Sequence, residues 1–160
     1  MVSQILQSPG SHGFLATPVT VMTTELNALA NNANIISSVG GTSGVFTQTS
    51  FGNAIWAEVE FIAGGAFTPT AGGYLCAWWL FSEAGSTFEK QVSATDLPRA
   101  PDLIIPLFAS AYASSDIAKG SGIIRLPAYD AKLYVANHCG VALASTGNII
   151  KIGPTGIQSS

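Results

Sequence analysis

From Ala33 onward, the sequence consists of short apolar segments separated by glycine pairs, prolines and small polar clusters. The segments have the length of β-strands and are rich in Ile, Val and aromatic residues, which favours strands over helices. Eight such segments suit an all-β fold, a jelly-roll-like antiparallel β-sandwich. The expected strands are residues 34–39, 45–48, 54–62, 73–82, 103–109, 122–126, 131–138 and 148–152.

The N-terminal part of the chain predicts an extended arm followed by one short helix. Residues 1–18 are rich in Ser, Gln, Gly and Pro without a sustained period, which is typical of an arm outside the core. Leu26 and Leu29 then share a helical face in a segment that ends near Asn32. We therefore expect one sandwich domain over residues 19–160, preceded by the arm.

The expected strand at residues 54–62 alternates with a period of two. Its glycine-rich continuation predicts a hairpin with the strand at residues 73–82. Two glutamates on the outward face of a strand more often interact with solvent than take part in acid–base catalysis. We expect Ile55, Ala57, Val59 and Phe61 to face the core, and Trp56, Glu58, Glu60 and Ile62 to face outward.

The strand at residues 73–82 is apolar on both faces, so both faces need a cover. One cover is the opposite sheet. The other is the helix, the N-terminal arm or a second copy of the protein. Trp78 and Trp79 are therefore candidate interface anchors, although internal packing explains them equally well.

The longest polar stretch, residues 83–102, predicts an exposed connection that contacts partners. Its prolines should keep the segment around Arg99 extended. With the arm and the outward face of residues 54–62, it supplies our candidate partner interface. The candidate residues are Phe14, Leu15, Trp56, Trp78, Trp79, Leu97, Pro98 and Arg99.

The surface must be unusually poor in charge, because charged residues make up only 9% of the chain against about 25% in typical soluble proteins. Such a surface is easily desolvated against a partner, which favours assembly. The net charge is −3, with six scattered Lys and Arg, which argues against nucleic-acid binding. Apolar runs are far shorter than the roughly 20 residues of a membrane helix. No signal-peptide pattern opens the chain, so we expect synthesis in the cytosol.

The reactive side chains do not form a recognisable catalytic or metal-binding pattern. His138 and Cys139 are adjacent, but zinc usually needs four ligands and only His12 and Cys76 remain. Adjacent residues of a strand point to opposite faces, which also argues against a Cys–His catalytic pair. Phosphate-loop and nucleophile-elbow motifs are absent from the sequence. We therefore expect no enzyme, cofactor or metal, and two cysteines that are small buried apolar residues.

Three segments stand out together: residues 22–31, 67–74 and 137–148. In combination they resemble a family of small virion proteins from tailed bacteriophages. They occur in the same order, and between the last two a Leu126-Pro127 pair precedes a Tyr-containing strand. The resemblance implies a jelly-roll capsid decoration (cement) protein without catalytic residues. It also implies a dimer or trimer that binds the major capsid protein on the capsid surface of the virion, after assembly in the host cytoplasm.

Two other functions remain open from the sequence. One is a component of the phage tail or fibre. The other is a carbohydrate-binding module for host attachment, since jelly rolls carry lectin sites and exposed aromatic side chains stack on sugars.

Overall fold

Strands account for nearly all the regular structure in the described part of the chain. The structure is a computed structural model, and ten strands and one single-turn 3₁₀ helix occur in the residues that it describes. The fold is therefore all-β, as the sequence predicts. The described residues are 18–37, 45–47, 51, 54–65, 67–84, 87–88, 97–107 and 119–155.

Each of the eight expected strands overlaps an observed strand; both ends agree for residues 131–138, and at least one end is shifted for each of the others. Val39, Gln48 and Ala109, where three of the expected strands ended, lie outside the described residues. Strands β1 and β6 were not predicted. In chain order the strands are β1 (Val19–Met22), β2 (Asn34–Ile36), β3 (Val45–Phe46), β4 (Trp56–Ile62), β5 (Tyr74–Ala84), β6 (Thr87–Phe88), β7 (Leu103–Pro106), β8 (Lys119–Arg125), β9 (Ala131–His138) and β10 (Ile149–Thr155).

The strands form two antiparallel sheets. Sheet A has the order β1-β10-β4-β8. Sheet B has the order β2-β9-β5-β6, with β3 also paired to β9 and β7 also paired to β5. All pairs are antiparallel. One hydrophobic core contains side chains from both sheets, which makes a two-layer β-sandwich arrangement.

The alternation of apolar residues sets which side chains enter that core. On β4 these are Ala57, Val59 and Phe61, all fully buried. On β5 the alternate positions Ala77 and Trp79 face the same core. Each large side chain buried in this way contributes about 1.5–3 kcal/mol relative to exposure. The expected inward face of β4 is thus confirmed for these three residues.

Two glycines allow β8 of sheet A to approach β7 of sheet B closely. A Cβ on Gly120 would lie 2.5 Å from Cγ2 of Ile105, and one on Gly122 would lie 2.5 Å from Cδ1 of Leu103. Both glycines sit opposite core residues of β4 in the register. The missing side chains therefore let the two sheets meet along this side of the core.

The predicted hairpin between β4 and β5 is wrong. Strand β4 pairs with β10 and β8, whereas β5 pairs with β9, β7 and β6, so the two lie in different sheets. Their connection crosses between the sheets and is anchored on the end of β9. There the N–H of Thr70 donates to the carbonyl of Cys139 at 2.8 Å.

Two residues near β4 differ from the expected pattern. Ile55 was expected in the core but is 57% exposed, because the strand begins only at Trp56. Glu60 was expected on the solvent-exposed face of the strand but is only 6% exposed. It lies in an inner strand of sheet A, between Lys151 of β10 and Ser121 of β8. These neighbours flank its side chain on both sides.

The expected short helix is reduced to one 3₁₀ turn, Thr24–Leu26. The backbone beyond it bonds to another part of the chain instead of continuing the helix. Ala28 has a positive φ of 55°, and its N–H donates to the carbonyl of Ala144 at 2.9 Å. Leu26 and Leu29 are nevertheless buried, as expected.

Candidate functional site

The eight candidate interface residues occupy three kinds of environment. Phe14 and Leu15 lie outside the described residues. Trp78, Trp79 and Leu97 are buried, Arg99 is half-buried, and Trp56 and Pro98 are exposed. This placement favours internal packing for the two β5 tryptophans, and leaves Trp56 and Pro98 as candidates with accessible side chains.

Trp78 and Trp79 point to opposite faces of sheet B. Trp79 enters the core between the sheets, where its ring lies 5.2 Å from that of Phe46 and its indole N–H donates to the carbonyl of Arg125 at 3.0 Å. Trp78 lies on the outward face, with its ring 5.6 Å from that of Tyr134. Each tryptophan therefore has a structural role in the fold.

The outward face of sheet B carries a second hydrophobic cluster. It is covered by Leu97 of the long connection, and Ile36 on the neighbouring strand β2 packs against it. Leu97 was not among the expected covers, and residues 1–17 of the arm lie outside the described residues. The burial of Leu97 also shows that the long connection is not exposed throughout. The cluster comprises Cys76, Trp78, Leu80, Leu97, Tyr134 and Ala136.

The segment that follows Leu97 contains an ion pair, and both of its side chains hydrogen-bond to the backbone of β5. Nη1 of Arg99 lies 3.0 Å from Oδ2 of Asp102. The same carboxylate oxygen accepts the backbone N–H of Trp79 at 2.8 Å, while Nη2 of Arg99 donates to the carbonyl of Trp79. In addition, the indole N–H of Trp78 donates to the carbonyl of Arg99 at 3.1 Å. Arg99 thus acts within the fold, where it completes hydrogen bonds that no strand partner supplies.

The outward face of sheet A carries an exposed two-by-two group of side chains, which we call the sheet A block. It consists of Trp56 and Glu58 on β4, with Arg125 opposite Trp56 and Ile123 opposite Glu58 on β8. Trp56 is 50% and Ile123 63% exposed. Tryptophan and arginine are enriched at the energetic centres of protein interfaces. This block is the strongest candidate contact surface on sheet A.

A second exposed aromatic group lies at one end of sheet B. The ring of Tyr74 lies 5.2 Å from the imidazole of His138, and Pro106 is the other cross-strand neighbour of Tyr74. Nδ1 of His138 is 3.2 Å from Oδ1 of Asn32. His138 is thus hydrogen-bonded within the fold.

Two buried asparagines hold the chain together at the same end of the molecule. Nδ2 of Asn137 donates to the carbonyls of Leu29 and Val141, both at 2.8 Å, and its Oδ1 accepts the N–H of Cys139 at 2.9 Å. Nδ2 of Asn148 donates to the carbonyl of Ala144 at 2.6 Å. Both side chains are fully buried. Sequence reasoning did not single them out, because an asparagine near the end of an expected strand resembles an ordinary polar residue.

The three segments that carry the phage-protein resemblance converge at this end. Residues 22–31 bond to residues 137–148 through Asn137 and Asn148. The hydroxyl of Thr70 donates to the carbonyl of Cys139 at 3.0 Å, which brings in residues 67–74. A Cβ on Gly73 would lie 2.8 Å from Cα of Cys139. Segments far apart in the sequence therefore build one packed corner.

The described residues contain no group of three or more His, Cys, Asp or Glu side chains that could hold a metal ion. Cys76 and Cys139 are free and buried, in agreement with the sequence interpretation. Burial raises the pKa of the Cys139 thiol above 9.0, and its Sγ donates to the carbonyl of Val141 at 3.1 Å. A thiol with a raised pKa stays protonated near neutral pH and is a poor nucleophile.

Comparison with known proteins identifies no relative: no family model, no curated protein and no solved structure matches this chain. Within the ranges that the structure describes, none of the helical segments is long and apolar enough to cross a membrane.

Proposed function

We propose that this chain is a structural protein of a tailed-phage virion, and not an enzyme. Its proposed role is that of a capsid decoration protein, which binds the outer shell as an oligomer and reinforces contacts between major capsid subunits. The observation that carries the proposal is the convergence of the three resemblance segments in one packed corner. Similar segments that pack against one another as one unit support a relationship to this family better than similar segments scattered over the fold would.

The proposed fold within the β-sandwich class is a jelly roll. The pairing supports it, because the outermost strands β1 and β10 pair, then β2 and β3 with β9, then β4 with β8, and innermost β5 with β7. These four levels of pairing are those of one long hairpin. The further pairs β10–β4 and β9–β5 form when this hairpin is folded over, so that its outer and inner parts lie side by side. The short strand β6 lies within the β5–β7 connection.

The surface also supports a binding role. A chain with 9% charged residues offers little charge to desolvate, and the sheet A block places exposed Trp56 beside Arg125 and Ile123. Many copies arranged by shell symmetry add avidity, so a modest interface per copy is sufficient to brace a shell.

The proposal is tested by comparing phage particles with and without this protein. Particles without it should release their genome at a lower temperature than complete particles, and adding the purified protein back should restore the release temperature. A matched control adds back protein with Trp56→Asp, which should restore less. Equal release temperatures for complete and deficient particles would refute the role in shell stability.

A carbohydrate-binding role is the second candidate, favoured by the exposed Tyr74 ring beside His138. Aromatic faces of this kind stack on sugar rings, while neighbouring amides such as Asn32 bind hydroxyl groups. A glycan array should then show binding that Tyr74→Ala removes and Tyr129→Ala keeps, since Tyr129 is also exposed but lies outside strands β5 and β9. An array without signal would eliminate this candidate.

A further inference from the structure

The sheet A block has a pattern that is complementary to itself. Its apolar members, Trp56 and Ile123, occupy one diagonal, and its charged members, Glu58 and Arg125, occupy the other. Neighbours across paired strands are about 5 Å apart and diagonal neighbours about 7–8 Å apart. The four side chains therefore form one contiguous patch.

The patch is accessible for contact. Trp56 and Ile123 are 50% and 63% exposed, and Arg125 is exposed. Its guanidinium forms no ion pair with any residue that the structure describes. Glu58 is half-buried and already has a contact within the chain, but a carboxylate has about four acceptor sites and can accept further hydrogen bonds.

We propose that the sheet A block is the contact surface of a symmetric dimer, in which a second copy packs its own block face to face. The two-fold axis lies in the plane of the contact along the diagonal from Trp56 to Ile123. Rotation about this axis places each apolar residue against its own equivalent and exchanges the charged corners. Arg125 of each copy then faces Glu58 of the other, as expected of an interface in which both copies use the same patch.

The other two-fold arrangements of the block are unfavourable. An axis along the second diagonal opposes Arg125 to Arg125 and Glu58 to Glu58, which is repulsive. An axis along or across the strands places Glu58 against Ile123 or Trp56, and so desolvates a carboxylate against an apolar group. The order of residues in the block thus favours one geometry and a second copy of this chain as its occupant.

This dimer deepens the proposed function, since it specifies the oligomer that would bind the shell. Its test uses the purified full-length chain without any capsid. A monomeric protein that still stabilises particles would refute the dimer alone, whereas a dimer that does not affect particles would refute the decoration role alone.

Sedimentation equilibrium of the purified chain tests the charge contacts. Arg125→Glu and Glu58→Arg should each raise the dimer dissociation constant at least about tenfold, because each creates two like-charge contacts per dimer. The double variant with both changes restores opposite charges and should return to within about threefold of the original protein. A folding defect in either single variant would not be repaired by the exchange, so the double variant keeps the test decisive.

Matched apolar variants test the position of the surface. Ile123→Ala should raise the dissociation constant about tenfold, and Ile104→Ala should leave it unchanged, since Ile104 is also exposed, at 53%, but lies on β7 of sheet B. A protein that is monomeric at about 1 mM, a trimer, equal effects of the two isoleucine variants, or a double variant as weak as the single ones would each overturn the proposal.

Discussion

At the scale of single residues, buried polar side chains determine how the packed corner is held. Asn137 hydrogen-bonds to two carbonyls and one N–H. These bonds link the segment after the 3₁₀ turn to the end of β9. The carbonyl of Leu29 also accepts the N–H of Leu143, and that of Val141 also accepts the thiol of Cys139. The group that depends most on Asn137 is therefore the N–H of Cys139. A buried donor left unsatisfied costs about 1–3 kcal/mol, which is more than a typical hydrogen bond contributes once it is made.

Asn137→Ala should therefore lower the free energy of unfolding by about 1–3 kcal/mol, because it leaves the N–H of Cys139 buried without its acceptor and removes one of the two donors from the carbonyls of Leu29 and Val141. Urea unfolding followed by circular dichroism measures the change. Asn34→Ala is the matched control, since Asn34 is only half-buried, and its effect should stay within about 0.5 kcal/mol. Similar losses in the two variants would contradict the role of Asn137.

Cys139 gives the corner a pH dependence. Burial raises the pKa of its thiol above the ordinary 9.0, so the folded state favours the protonated form. The contribution to stability is fully present below the pKa of the unfolded chain and is lost as pH rises through the folded pKa. Urea unfolding between pH 7 and pH 10 (about the range over which a free thiol ionises) should show a steeper loss of stability in the original protein than in Cys139→Ala. Parallel curves would show that this thiol has no such effect.

At the scale of elements, the contact of β8 with β7 depends on the glycines of β8. Gly120 faces the more crowded of the two positions on β8, since a Cβ there would also lie 2.9 Å from Cδ2 of Leu107 and from the carbonyl oxygen of Pro106. The backbone oxygen cannot move aside as a flexible side chain can. The sheets would have to separate locally to admit a methyl group.

Gly120→Ala should destabilise the protein by about 1–3 kcal/mol through this overpacking. The matched control is Ser121→Ala on the same strand, whose exposed side chain points outward, and its effect should be within about 0.5 kcal/mol. Thermal unfolding of the two variants measures the difference. An unchanged melting temperature for Gly120→Ala would mean that the two sheets do not approach as closely as described.

Local patterns in the sequence predicted the elements, but not how they pair. The alternation in β4 identified Ala57, Val59 and Phe61 as core residues, because burial of a strand face depends on a period of two. The pairing of β4 with β10 and β8 joins residues far apart in the chain, and no local pattern encodes it. For the same reason the burial of Glu60 and the cover of Trp78 by Leu97 could not be foreseen.

At the scale of the whole molecule, the two sheets leave different outward faces. Sheet B has much of its outward face closed by the chain itself through Leu97 and the ion pair of Arg99 with Asp102. Sheet A presents exposed Trp56, Ile123 and Arg125. This asymmetry is consistent with a subunit that completes its structure by binding to other proteins.

The most direct measurement of the central claim is a cryo-electron microscopy reconstruction of the phage particle that contains this protein. The proposed role predicts sandwich-shaped density on the outer surface of the capsid shell, at symmetric positions between major capsid subunits, and its disappearance from particles that lack the protein. Density for this chain on the tail or its fibres, with a bare shell, would contradict the account.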